Sequence, residues 1–177
     1  MPSPAPIRPR IAFTMGDPAG VGPEIIAAVW ADARIHKLCR PAVFGHAETL
    51  RRAAELRGAD IEVATAPIDE AFNASAPDRL VCLDTLSDGP LDFTPGEVNA
   101  GTGRAAYDAV VAATRSAQSE ACDAIVTAPL SKAALHAAGQ QYPGHTELLA
   151  ELCGVRDFAM MLYLPPSIAS DTRAGLG

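Results

Sequence analysis

Lys132, His145 and Thr146 are the residues whose types and spacing could do chemistry. They fall within Asp123–Glu147, which reads D-A-I-V-T-A-P-L-S-K-A-A-L-H-A-A-G-Q-Q-Y-P-G-H-T-E. An ammonium, an imidazole and a hydroxyl beside helix N-termini would suit a phosphate or a carboxylate. Helix N-termini present unpaired N–H groups and a partial positive charge, and Lys132 and His145 would add cationic or hydrogen-bonding groups. The plainer alternative is that Lys132 is solvated, Thr146 is only a cap and His145 is a loop histidine. Spacing alone leans to this alternative, because polar residues near helix starts are common in α/β proteins.

Positioning these groups takes one strand and two helices. Ala124–Thr127 is a short apolar run that reads as a buried strand, and Pro129 ends its ladder for want of an N–H. Ser131 stands where a helix N-cap would, ahead of Lys132, Ala133, Ala134 and Leu135, and Gly139 follows as a C′ glycine. A second helix is expected over about Thr146–Cys153, with Glu147 in its first turn. Elsewhere Ile11–Thr14, Ala42–Gly45, Ile61–Ala64, Leu80–Leu83 and Asp157–Leu164 read as strands. Helices are predicted over about Pro23–Ala33, Ala47–Leu56 and Glu97–Ser119, the second with Leu50, Ala53, Ala54 and Leu56 on its apolar side. Pro67–Pro77 and Thr85–Pro95 read as loops. His46, at a strand-to-helix junction, is expected to be a cap or surface group rather than a catalyst. Strands alternating with helices predict an α/β fold with a largely parallel sheet flanked by helices.

Composition narrows the field. The 177 residues are 49% hydrophobic and 20% charged, ordinary for a globular chain with one core. Only 5% are aromatic, so the core must be mostly Ala, Val, Leu and Ile. A net charge of −7 argues against a nucleic-acid surface, though a local cluster can still hold an anionic substrate. Cys39, Cys82, Cys122 and Cys153 form no C-x-x-C pair, which removes zinc-ribbon and thioredoxin-like readings. Met1–Pro9 has four prolines and no apolar h-region, and no stretch is long enough for a membrane span. Free thiols in a reducing cytoplasm follow as the simplest expectation.

Two glycine-bearing stretches could be mistaken for cofactor loops. The first, T-M-G-D-P-A-G-V-G-P-E over Thr14–Glu24, leaves a strand and enters a helix. It therefore sits at a strand's carboxyl end, where open α/β sheets bind ligands. Its spacing, Gly16-x-x-x-Gly20-x-Gly22, fits neither the dinucleotide fingerprint nor the Walker loop. The second, Gly101–Ala106, fits G-x-G-x-x-A but follows turn-like residues rather than a strand, so it reads as a site of close helix packing.

The paired motifs T-A-P-L-S-K…P-G-H-T-E and T-M-G-D-P-A-G-V-G-P-E resemble the 4-hydroxythreonine-4-phosphate dehydrogenase family of vitamin B6 biosynthesis. The resemblance runs from about Arg10 to Pro165. The run F-A-M-M-L-Y-L-P-P is closer to the branch with 4-phospho-threonate and 4-phospho-erythronate dehydrogenases. It implies an isocitrate/isopropylmalate dehydrogenase-like fold, here incomplete. It also implies oxidation of a secondary alcohol by NAD or NADP, with decarboxylation, on a small 4-phosphorylated hydroxy acid. A divalent metal (Zn, Mg or Co) held by histidines would polarise the alcohol and keto oxygens. His145 and Thr146 match the family's substrate-binding His-Thr pair, and Lys132 matches a lysine of the adjacent motif. Asp17 and the loop glycines match the first motif without an assigned task, and no catalytic or cofactor-binding residue is assigned. Homodimers with sites near the subunit interface are implied, with exposed apolar surface on this chain.

The family's metal ligands are expected beyond Leu164, whereas the histidines here are His36, His46, His136 and His145. The resemblance thus implies a truncated or frame-shifted member: a disordered tail over 1–10, an N-terminal dehydrogenase half over 11–165 and an out-of-family tail over 166–177. Such a chain is expected to retain no catalytic metal and to be inactive alone. The alternative is a non-catalytic α/β module that binds a phosphorylated ligand or pairs with a full-length relative. A phosphate acyltransferase of related fold is disfavoured by the paired motifs.

Overall fold

The computed structural model describes residues 7–86 and 91–163. β1 (Arg10–Thr14) pairs with β2 (Arg40–Gly45) on one side and β5 (Ala124–Thr127) on the other, Phe13 lying opposite Val43 and Val126. β4 (Arg79–Asp84) then joins β2 to β3 (Glu62–Thr65). All pairings are parallel, in the order β3-β4-β2-β1-β5.

The central strands β1, β2 and β4 send alternate residues to two separate cores. On one face Met15, Val43, Leu80 and Cys82 pack with Ile26 and Trp30 of α1 (Gly22–Trp30) and with Ala47 and Leu50 of α3 (Ala47–Arg57). On the other, Ala12, Ala42, Phe44 and Val81 meet Ala71 and Phe72 of α4 (Ile68–Ala74) and Ala109 and Ala113 of α5 (Ala100–Gln118). A parallel sheet covered on both faces needs apolar strand centres, as β2 and β4 have; the edge strand β5 is half-exposed, with Ala124 and Val126 open, and is not the buried strand its apolar run suggests. Alanine dominates the second core, so its helices lie close to the sheet. α6 (Lys132–Ala137) packs on α5 through Gly103, where a Cβ would come 2.0 Å from the Ala134 carbonyl oxygen. The G-x-G-x-x-A match is therefore a packing seam inside a helix. α7 (His145–Leu152) follows and is tied to α5 by a 2.9 Å bond from Gln118 Nε2 to the Leu152 carbonyl.

Several boundaries depart from the sequence expectations. The helix predicted to reach Ala33 stops at Trp30, and α2 (Ala33–Leu38) starts anew behind Asp32, whose carboxylate accepts from the Arg34 N–H. His36 folds back so that its Nε2–H donates to the Trp30 carbonyl at 3.0 Å. The presumed loop Pro67–Pro77 contains α4, because Ala71 and Phe72 gain a buried face against Val81. The long helix begins three residues after Glu97, at Ala100, where Asn99 caps the Gly101 and Thr102 N–H groups. Leu56 does not join the apolar side of α3 but is 73% exposed. His46 takes the N-cap position of α3, as expected of a junction residue, but it is buried, with Nδ1 2.9 Å from Thr49 Oγ1, and is not a surface group.

Asp157–Tyr163 is no strand: Phe158, Met160, Met161, Leu162 and Tyr163 are exposed, and no neighbouring strand among the described residues supplies the ladder bonds that the alternation requires. Leu164 and the tail 166–177 lie outside the described residues. So do 1–6 of the expected N-terminal tail, which in any case ends earlier than 10, since Arg10 opens β1. Its main-chain N–H and guanidinium both bond Asp123, at 2.7 Å each. Residues 87–90 of the Thr85–Pro95 loop are likewise outside. Exposed apolar side chains are present as expected, among them Val21, Ile25, Val29 and Val126. The cysteines are free thiols, and no helix among the described residues is long and apolar enough to cross a membrane.

Candidate functional site

β1 and β5 are neighbours whose onward chains leave in opposite directions. β1 leads to α1 on one face, while β5 leads to α6, which packs on α5 over the other. Such a divergence leaves a crevice outside the carboxyl ends of the two strands, the usual ligand position of an open α/β sheet. Both long sequence motifs converge there.

The first motif opens on a tightly bonded, buried turn over residues 15–18. Gly16 has φ +75°, and a Cβ on it would lie 2.3 Å from the Pro129 carbonyl oxygen, so only glycine fits. The Asp17 N–H donates to that same carbonyl at 3.0 Å. Asp17 itself is buried, its Oδ1 accepting the Ala19 N–H at 2.9 Å and its carbonyl accepting from Gly20. These bonds give Asp17 the work of a turn-former. Met15 fills the space beneath, with its sulfur 3.4 Å from the His46 N–H.

The second motif is more open. Ser131 caps α6 by accepting the Ala134 N–H at 3.2 Å. Lys132, next in line, is exposed, and its Cε lies 3.9 Å from where a Cβ on Gly144 would stand. The lysine arm therefore runs past the start of α7, whose N-cap Gly144 provides no side-chain cap. His145 follows, half-buried. Its Nε2 is out of contact with solvent and has no hydrogen-bond partner. Burial pushes the imidazole pKa down, which favours the neutral form of the ring. Thr146 goes elsewhere: it lines a cleft of about 280 Å³ with Leu149, Cys153, Phe158 and Met160, which neither Lys132 nor His145 lines. The structure thus brings Lys132 to the helix start that carries His145 and turns Thr146 toward another cleft.

A larger cavity, about 520 Å³, lies at the opposite end of the sheet, lined by Arg10, Arg40, Phe72 and Asp123 among others. Its two arginines are already engaged: Arg10 pairs with Asp123 at 2.7 Å, and Arg40 donates to Asn73 Oδ1 at 3.0 Å. The two motifs at the carboxyl ends are the better candidate because they carry two of the three orphaned buried side-chain atoms among the described residues, Thr14 Oγ1 and His145 Nε2, the third being Ser75 Oγ.

Among the described residues no three His, Cys, Asp or Glu side chains converge as metal ligands do. His36, His46 and His136 are apart and bonded to Trp30, Thr49 and Tyr142 respectively. The residues described do not by themselves fit a divalent ion, nor does Gly101–Ala106, inside α5, fit a dinucleotide.

Two further residues at this end escaped the sequence reading. Thr14 Oγ1, at the end of β1 opposite Thr127, is fully buried without a partner. Its signal was its place at the head of T-M-G-D-P. Tyr142 joins α5, α6 and α7, and its signal was its position just ahead of P-G-H.

The profile of the family described as pyridoxal phosphate biosynthetic protein PdxA matches residues 37–168. The chain belongs to this family. It is 42% identical over 156 residues to a 4-hydroxythreonine-4-phosphate dehydrogenase of Trichlorobacter lovleyi, covering 88% of this chain and 46% of that protein. It is also 42% identical over 156 residues to a D-threonate 4-phosphate dehydrogenase of Pectobacterium atrosepticum, covering 86% and 47%. A crystal structure of a 4-hydroxythreonine-4-phosphate dehydrogenase from Burkholderia phymatum superposes with a TM-score of 0.84 at 42% identity, over 90% of this chain and 48% of that one. The chain spans about half the length of the relatives it matches. The PdxA family is one of dehydrogenases, and the parallel sheet flanked by helices is its fold.

Proposed function

We propose that this chain forms the anion-holding side of a NAD- or NADP-dependent, metal-dependent dehydrogenase. The reaction is oxidation, with decarboxylation, of a small 4-phosphorylated hydroxy acid of the 4-phosphohydroxythreonine or 4-phosphothreonate type. The observation that carries this reading is His145 Nε2, buried and unpartnered, in the residue that follows Gly144, whose would-be Cβ position the Lys132 arm approaches. A buried polar atom without a partner costs free energy unless a ligand completes it. In its neutral form, the imidazole can donate to a substrate oxygen or accept from a substrate hydroxyl. Lys132, solvated and flexible, supplies positive charge for the phosphate as a movable point charge. Thr146 belongs to this site if the substrate extends past the start of α7 into the neighbouring cleft. The reading includes a cytoplasmic homodimer, and the exposed Val21, Ile25 and Val29 of the α1 region offer apolar surface for association.

Calorimetric titration with 4-phosphohydroxythreonine, 4-phosphothreonate and 4-phosphoerythronate tests the reading. One of the three is expected to bind, and His145→Ala is expected to weaken it about tenfold or more, the scale of a lost charge-assisted hydrogen bond. Equal affinity in the variant contradicts the assignment. Metal analysis and NAD(P)H formation in the same samples separate a catalytic chain from a module that only binds.

A further inference from the structure

Tyr142 stands in the connector between α6 and α7, three residues before His145. It is attached to three helices at once. Its ring stacks on Tyr107 of α5, with centroids 6.3 Å apart and planes 17° from parallel. Its hydroxyl donates to Glu151 Oε1 of α7 at 2.9 Å. Its carbonyl lies 3.1 Å from His136 Nε2, at the end of α6, which fixes that nitrogen as the donor. The Arg104 guanidinium lies 5.9 Å from the centre of the Tyr107 ring and pairs with Asp108, which orders the platform beneath the stack. The connector holds Gly139 (φ +81°), Pro143 and Gly144, a sequence that does not set its own path. Its first residues are tied back to α6 by the Gly139 and Gln140 N–H groups. Beyond them, Tyr142 is what joins the connector to the body of the protein among the contacts described.

We propose that Tyr142 is the positioning residue of the Lys132–His145 site, its three attachments fixing the connector so that the His145 imidazole is held dry and unpartnered at the helix start that the Lys132 arm approaches. The proposal rests on the anion-site reading for its purpose, but the positioning itself can be measured without a ligand. The stack gives orientation, since two nearly parallel rings resist tilting. The phenol bond sets the distance from the connector to α7. The charged and titratable groups that meet the connector are Lys132 of α6 and Glu147 of α7 beside Gly144, and Glu151 of α7 and His136 at the end of α6, both bonded to Tyr142. The phenol engages Glu151, so shortening Tyr142 frees that carboxylate as well as opening the pocket.

Ring-¹⁵N histidine NMR of the whole chain across pH, followed by titration with inorganic phosphate, tests the proposal. In Tyr142→Ala the His145 pKa is expected to rise toward the ordinary imidazole value as water enters, and phosphate affinity to fall at least about threefold, the scale of one neutral hydrogen bond. Tyr142→Phe, which keeps the stack and the carbonyl contact, is expected to hold both nearer to wild type. His36 and His46 report whether the fold is intact. An unchanged His145 titration in Tyr142→Ala, with His36 and His46 native, overturns the proposal. If Tyr142→Ala unfolds the chain, Tyr142→Phe and Glu151→Gln decide, because each must shift His145 in the same direction by less, and no shift in either overturns it. A Tyr142-dependent His145 titration with no phosphate binding in the wild type supports the positioning role and refutes the anion site.

Discussion

Two loops meet at the carboxyl ends of β1 and β5, and they differ in what they leave unfinished. In the loop after β1, Asp17 has its N–H, carbonyl and carboxylate all bonded, and Gly16 is closed against the Pro129 carbonyl. In the stretch after β5, Lys132 is exposed, Gly144 gives α7 no side-chain cap, and His145 Nε2 is buried without a partner. Both are long, glycine-bearing motifs and look equally significant as sequence. Both motifs carry an orphaned buried atom, Thr14 Oγ1 at the head of the first and His145 Nε2 in the second. What separates them is the turn itself: the loop after Thr14 bonds its own polar groups and builds the crevice, whereas the second stretch leaves the Lys132 ammonium exposed for a ligand to use.

The sharpest way to strain this contrast is through glycine. Gly16→Ala forces a Cβ to 2.3 Å from a main-chain oxygen at a positive φ and is expected to cost on the order of 3 kcal/mol, read from the denaturant midpoint. Gly103→Ala, which drives α5 off α6, should cost a similar amount and disturb the connector to His145. A midpoint within error of wild type for Gly16→Ala means that the first loop is not the tightly bonded turn described. Next in size, His145→Ala is expected to leave stability within about 0.5 kcal/mol while removing about tenfold of phosphoryl-ligand affinity. Asp17→Ala should do the reverse, losing about 1 kcal/mol of stability through the turn bond to Ala19.

The smallest effect is a pH dependence remote from both loops. The Arg10 guanidinium, and then the Arg10 main-chain N–H, hold the Asp123 carboxyl down at about 2, and Arg34 does the same for Asp32. A carboxylate with a depressed folded pKa gives its full stabilisation above the ordinary value near 3.8 and loses it as pH falls toward 2. Asp123→Asn should therefore flatten the acid limb of the stability profile in that window and leave the ligand site unaffected. A variant as acid-sensitive as wild type would show that the Arg10–Asp123 pair contributes nothing measurable.

Much of the fold was legible because the middle of the sheet is buried on both faces. An apolar run such as Leu80–Leu83 has few other places to go, and Ser131 and Gly139 carried the cap signals of α6. Ala124–Thr127 is a strand as its run suggests, but it lies at the sheet edge and is not buried, Ala124 and Val126 being exposed. Short helices were not legible. α4 hides between Pro67 and Pro77 because two buried residues, Ala71 and Phe72, decide it rather than a period, and α2 was absorbed into α1 although Asp32 announced its start. Asp157–Tyr163 has the pattern of a strand, but pairing comes from a neighbour that a pattern cannot supply. At the site, residue types pointed to Lys132 and His145. Only coordinates could show that the imidazole lacks a partner, that Thr146 faces another cleft, and that Tyr142 joins three helices to the connector.

The central claim, that the loop after β1 builds and the stretch after β5 binds, is met most directly by one paired measurement. Denaturant midpoint and 4-phosphothreonate affinity are determined side by side for Asp17→Ala and His145→Ala. The expected result is a crossed pattern: a lower midpoint with retained affinity for Asp17→Ala, and a retained midpoint with about tenfold lower affinity for His145→Ala. The opposite crossing, or equal losses of both quantities in both variants, contradicts the division of labour between the two loops.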